Sequence, residues 1–135
     1  MSEMSSRIVV ADDSETILQM ISITLQRQGH NPVLARHGGE AVAAVREHRP
    51  ELLLVDAMMP VLDGYEVVKA VCEEFGDDSP YIIMLTASDR AVDRERATEA
   101  GVDEFIAKPF SPVALRERVT ALLAERGTAP PESAT

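Results

Sequence analysis

Apolar residues come in short compact runs separated by longer amphipathic stretches. Arg7–Ala11 (Arg-Ile-Val-Val-Ala) is too short for a helix and reads as a buried strand. Ser14 to Gln28 then places Ile17, Leu18, Ile21 and Leu25 on one helical stripe, closed by Gly29. Residues 31–35 form a weaker strand, and Gly38-Gly39 reads as a break. Ala41, Ala44, Val45 and His48 recur at helical spacing until Pro50. Leu52–Val55 is uniformly apolar, the pattern of a strand covered on both faces. After a loop at 58–64, Asp63 and Glu66 form a capping-box pattern that opens a third helix to about Phe75. Tyr81–Leu85 is a fourth buried strand. Ser88 or Asp89 would cap a highly charged helix ending near Gly101. Glu104–Ala107 is the fifth strand, and Ser111-Pro112 starts a last helix with Leu115, Val119 and Leu122 on its buried face.

Five strand–helix repeats in strict alternation predict a mostly parallel sheet with right-handed crossovers and helices on both faces. In such a sheet the strands point one way, and ligands bind at their C-terminal edge. Asp13, Asp56, Thr86 and Lys108 each stand just beyond a strand-like run, so all four should meet at that edge, with Asp12 beside them. Neighbouring carboxylates repel unless a cation joins them. Oxygen donors on loops suit Mg²⁺, with Mn²⁺ as the other candidate. Lys108 would meet a phosphate as a point charge, and Thr86 would donate to an anionic oxygen. The plainer alternatives are that Asp12 and Asp13 only cap the first helix, that Lys108 is solvated, and that Thr86 bonds to backbone.

Composition narrows the partners. The chain has 135 residues, 45% of them hydrophobic, which suits one domain with an aliphatic core, since it lacks Trp and only 4% are aromatic. A formal net charge of −10 argues against nucleic acid as a direct partner. The single cysteine, Cys72, excludes an internal disulfide and reads as a reduced small hydrophobe. The apolar runs are far shorter than the ~20 residues of a membrane span. Residues 1–6 lack the layout of a signal peptide and are expected to be disordered. A reducing, cytoplasmic setting without membrane insertion is expected. Residues 127–135 read as a flexible tail or a linker, leaving one domain over 7–126.

The motifs Val10-Ala11-Asp12-Asp13-Ser14, Leu54 to Gly64 (Leu-Val-Asp-Ala-Met-Met-Pro-Val-Leu-Asp-Gly), Met84-Leu85-Thr86-Ala87-Ser88, Ala100 to Phe105 and Ala107-Lys108-Pro109-Phe110 occur in this order. Together they resemble the receiver domain of two-component response regulators, over about residues 7–124. The resemblance implies a flavodoxin-like doubly wound fold, with five parallel strands in the order 2-1-3-4-5. It implies a stand-alone phosphoacceptor switch, phosphorylated on Asp56 by a partner histidine kinase or phosphotransfer protein. Asp13 would be a direct Mg²⁺ ligand. Asp12 would bind the ion or one of its waters, and the Met58 carbonyl would complete the protein's share beside Asp56. It implies a cis Lys108–Pro109 peptide, and a switch pair of Thr86 and Phe105 that reshapes the face of helix 4, strand 5 and helix 5 for a downstream protein. A static, half-buried ring is the alternative for Phe105.

Arg90 and Arg94 would share one face of helix 4 and dock partners, or belong to a solvated helix with internal ion pairs. Ile17 and Met20 are candidate contacts for the phosphodonor, with core packing the alternative for Ile17. Such a domain catalyses its own phosphorylation and dephosphorylation and is not a metabolic enzyme. Two rival readings are a pseudo-receiver that binds partners without phosphate, and a phosphatase of the haloacid dehalogenase type. The second rival needs an acid two residues after its nucleophile, where this chain has Met58.

Overall fold

The computed structural model describes residues 7–87 and 90–125. The expectations for the two ends, residues 1–6 and 127–135, and for Ser88 or Asp89 as a cap, lie outside the described residues. The elements alternate: β1 (Ile8–Ala11), α1 (Glu15–Gln26), β2 (Val33–Ala35), α2 (Gly38–His48), β3 (Leu52–Asp56), α3 (Gly64–Phe75), β4 (Tyr81–Thr86), α4 (Ala91–Ala100), β5 (Glu104–Ala107) and α5 (Pro112–Leu123). All strand pairs are parallel and the order is β2-β1-β3-β4-β5. The expected fold is therefore the observed one.

Strand alternation sorts the core into two layers. Val9, Ala11, Leu53, Val55, Ile82 and Met84 point toward α2, α3 and α4, where they meet Ala41, Val45, Val67, Val68, Val71 and Ala97. Their neighbours Ile8, Val10, Leu52, Leu54, Ile83 and Leu85 point the other way, onto Leu18, Ile21 and Leu25 of α1 and Leu115, Val119 and Leu122 of α5. The inner strands are apolar along their length, up to Asp56 at the end of β3 and Thr86 at the end of β4, because both faces are covered.

The strand order places the site. From β1 the chain crosses to β2 on one side, then returns to β3 on the other. The loops leaving β1 and β3 thus diverge, and a crevice opens between them at the C-terminal edge.

The helix starts differ in detail from the sequence expectation. Gly38-Gly39 is no break: both residues lie in α2, and His37 caps it, its Nδ1 accepting from the Glu40 N–H at 3.2 Å. A histidine is an uncommon cap, so the glycines mask the start. Arg90 occupies the position before α4, in an extended conformation with no side-chain cap. Its carbonyl accepts from the Arg94 N–H at 3.2 Å, so the two residues stand one turn apart at the start of α4. Arg94 sits over the Phe105 ring, 5.0 Å from its centroid.

α4 departs from the other helices: Ala97 is its sole buried residue, and most of the rest is charged. α3 carries both halves of the predicted capping box, Glu66 N–H to Asp63 and Asp63 N–H to Glu66, each at 2.9 Å.

Candidate functional site: an acidic crevice with one lysine

Three carboxylates meet in the crevice. Asp12, Asp13 and Asp56 each offer an oxygen, and these oxygens lie within 4.8 Å of one another. Asp12 extends the β1 ladder, its N–H donating to the Ala35 carbonyl at 3.1 Å, and is fully buried. Asp56 is the last residue of β3 and is 6% exposed. Asp13 is exposed.

The acids are not spent on capping α1. Ser14 does that, its hydroxyl accepting from the Ile17 N–H at 3.2 Å. Asp12 Oδ1 in turn accepts from the Ser14 N–H at 2.9 Å, which fixes the Asp12 carboxylate. The sequence signal for this cap was present in a serine three residues before the first buried stripe, but the two aspartates beside it compete for the same role on paper.

Lys108 binds two acids at once. Its Nζ lies 3.1 Å from Asp12 Oδ2 and 3.1 Å from Asp56 Oδ1. The lysine is placed by β5, and its own N–H donates to the Thr86 carbonyl at 2.9 Å, tying the ends of β4 and β5. The Lys108–Pro109 peptide is cis. Thr86 ends β4 and is 6% exposed, one row beyond Asp56 in the sheet.

One ammonium does not balance three carboxylates. Burial pushes the Asp56 carboxyl up from its ordinary value, and the Asp12 charge pushes it further. Lys108 and the Met58 N–H, 3.4 Å from Asp56 Oδ1, only partly offset this. Burial pulls Lys108 the other way, yet the Asp12 hydrogen bond and the Asp56 charge outweigh it and raise its pKa. The ammonium is thus held charged, while the crevice keeps an excess of negative charge. That donor set, hard oxygens with an unmet charge, fits a small divalent cation.

The segment after Asp56 is tightly built. The Gly64 N–H donates to the Ala57 carbonyl at 2.9 Å, and a Cβ on Gly64 would collide with the Asp56 carbonyl oxygen. Val61, a β-branched residue, has φ +72°, and the Leu62 N–H reaches the Pro60 carbonyl at 2.9 Å. Strain of this kind collects beside functional groups. Neither feature has a pattern in the sequence beyond the glycine itself.

The other sequence candidates are dispersed. Met58 is 70% exposed at the mouth of the crevice. Phe105 is half-buried against the core layer shared with α3. Ile17 is half-buried against the α1–α5 layer, as core packing would have it, and Met20 is half-buried. Cys72 is a free, half-buried thiol whose pKa burial raises. Among the described residues, no helix is long and apolar enough to cross a membrane.

Comparison with known proteins agrees with this geometry. The model of the response regulator receiver domain matches residues 8–120. The alkaline phosphatase synthesis transcriptional regulatory protein PhoP of Bacillus subtilis is 36% identical over 133 residues, covering 96% of this chain and 53% of that protein. The DNA-binding response regulator MtrA of Mycobacterium tuberculosis is 37% identical over 132 residues, covering 98% and 57%. Among solved structures, the chemotaxis protein CheY4 of Vibrio cholerae superposes with a TM-score of 0.80 at 31% identity, over 87% of this chain and 98% of that one. A CheY-like receiver domain protein of Methanospirillum hungatei gives 0.82 at 25% identity, over 93% and 99%.

The chain belongs to the response regulator receiver family, the receiving half of two-component signalling systems. It spans about half the length of the curated relatives named above.

Proposed function

We propose that this domain is a Mg²⁺-dependent phosphoacceptor switch in which Asp56 takes a phosphoryl group from a phosphohistidine on a histidine kinase or phosphotransfer protein. The observation that carries this reading is Lys108 Nζ, placed between Asp12 and Asp56 at 3.1 Å from each, beside a third carboxylate. An oxygen of Asp56 attacks phosphorus, the bond to the imidazole nitrogen breaks, and an acyl phosphate forms. Such transfer depends on positioning and neutralised charge more than on proton movement.

Asp13, Asp56 and the Met58 carbonyl would hold the ion, with Asp12 on the ion or its water. When bound, it supplies the positive charge that two acids and a phosphate lack. Lys108 remains held charged by Asp12 as it turns from the Asp56 carboxylate to a phosphoryl oxygen. Thr86 donates its hydroxyl to another. A phosphoryl group adds about −1.5 to −2 charges, all at the end of β3. As Thr86 moves toward it, space opens beneath Phe105, the ring turns inward, and the α4–β5–α5 face changes for a downstream protein. Moving such a switch from 1:99 to 99:1 takes about 5.5 kcal/mol of differential stabilisation. Met20, with Ile17 beneath it, belongs to the donor's side of the crevice.

The −10 charge supports protein partners for this domain, although the longer relatives include DNA-binding regulators. The test is labelling with an acyl phosphate donor. Wild-type protein should take up phosphate with Mg²⁺ and not after chelation, and Asp56→Asn should take up none. Normal partner binding by protein that never labels would establish the pseudo-receiver instead.

A further inference from the structure

The helix that borders the switch face has almost no apolar hold on the protein. α4 buries one side chain, Ala97, and has no side-chain cap. A helix that is polar all round needs other anchors. Two arginines supply them. Arg94 covers Phe105 on one side, 5.0 Å from the ring centroid. On the other side, Arg96 lies 4.0 Å above the centroid of Tyr65, and its Nη2 is 3.4 Å from Asp63 Oδ2.

The Arg96 contact reaches the phosphoacceptor in few steps. Asp63 uses its other oxygen, Oδ1, to cap α3 through the Glu66 N–H. Gly64, next in the chain, is packed on the Asp56 carbonyl and bonded to Ala57. Tyr65, following it, is 8% exposed and belongs to the core layer that includes Val55. Asp63, Gly64 and Tyr65 thus form one rigid corner, with Asp56 on one side and Arg96 on the other. A groove of about 560 Å³ between α3 and α4 opens beside the guanidinium, lined by Lys69, Cys72, Glu73 and Glu99. Arg96 therefore has room to leave Tyr65 without unfolding either helix.

We propose that Arg96 is a positioning residue that couples α4 to the Asp56 segment through Tyr65 and Asp63, by a route separate from Thr86 and Phe105. This rests on the reading of Asp56 as the phosphoacceptor. The guanidinium is seated on Tyr65 and Asp63 together, and stacking combined with an ion pair tolerates little displacement. A shift of the α3 corner on phosphorylation therefore loosens α4. Linkage makes the effect reciprocal: a partner that pulls α4 away from Tyr65 favours the phosphorylated state.

The test is hydrogen exchange of amides 91–100, with and without beryllofluoride and Mg²⁺, with uptake at Asp56 followed by fluorine NMR. In wild-type protein, loading should speed α4 exchange by about fivefold, the lower end of ordinary site-to-site coupling. Arg96→Gln alters an exposed side chain and should leave the fold intact. Its α4 should exchange fast already, and loading should add little. Asp63→Asn keeps a competent cap and should give an intermediate response. Arg96→Lys, with charge but no planar face, should fall short of wild type. Thr86→Ala, once loaded, should retain the α4 response. An equal response in loaded wild type and loaded Arg96→Gln overturns the coupling. Loss of the response in loaded Thr86→Ala overturns the separate route. Wild-type protein that takes up no beryllofluoride removes the phosphoacceptor reading itself, and the coupling with it.

Discussion

Asp56 is held where its charge is disfavoured. It is 6% exposed, its carboxyl is pushed up from 3.8 by burial and by Asp12, and Lys108 compensates only in part. A carboxyl raised in the folded state costs stability when ionised, and that cost disappears as pH falls through the raised value toward 3.8. Asp56→Asn should therefore raise stability at pH 7 without divalent cations. In urea melts run from pH 7 downward, the advantage should shrink and be gone near pH 4. A constant difference across that range would mean that the carboxylate is not strained. The positions of Asp12, Asp13, Asp56, Thr86 and Lys108 were legible because each follows an apolar run. That Lys108 bonds to two acids at once was not legible, since Asp12 and Lys108 lie 96 residues apart.

At the scale of elements, local pattern and long-range pairing contribute differently. α3 could be read in full, because its cap, its box partner and its apolar stripe all lie within a few residues. α4 could not, because its anchors are Tyr65, Asp63 and Phe105, on other elements.

α5 is held on β5 by a further non-local contact. Arg118 binds Glu104 through two bonds of 2.7 and 2.8 Å, and Tyr81 donates to the same carboxylate at 2.9 Å. The Arg118 hydrogen bonds hold the Glu104 carboxyl below its ordinary 4.5, against the opposing effect of burial. A depressed carboxyl stabilises the fold above its unfolded value, and that contribution is lost as pH drops below 4.5. Glu104→Gln should thus cost about 0.5–1 kcal/mol at pH 7, since the pair is partly screened by solvent. In melts monitored by circular dichroism the penalty should narrow below pH 4.5. A penalty unchanged at pH 3 would show that packing, not charge, is what Glu104 contributes.

Taken as a whole, the molecule concentrates negative charge at one end of its sheet. The net charge is −10, and three carboxylates share one ammonium in the crevice. Anything cationic that binds only the folded crevice stabilises it by mass action, by about 2.7 kcal/mol at a hundredfold excess over Kd. Mg²⁺ at constant ionic strength should therefore raise Tm in a saturable way. Asp13→Ala, which alters an exposed side chain, should abolish most of the rise while leaving the ion-free Tm nearly unchanged. A rise of equal size in Asp13→Ala would mean that Mg²⁺ acts on the surface charge at large.

The sequence by itself determined the five strand–helix repeats, the two-sided burial of the inner strands and the residues at the strand ends. Those properties follow from periodicity and from the short reach of caps and turns. Tertiary structure alone decided that Ser14 rather than an aspartate caps α1, that His37 starts α2 and that Lys108 spans Asp12 and Asp56. It likewise decided that Arg96 rests on Tyr65. Each of these depends on which way a side chain points once distant segments pack, and hydrophobic spacing along a chain carries no record of that direction.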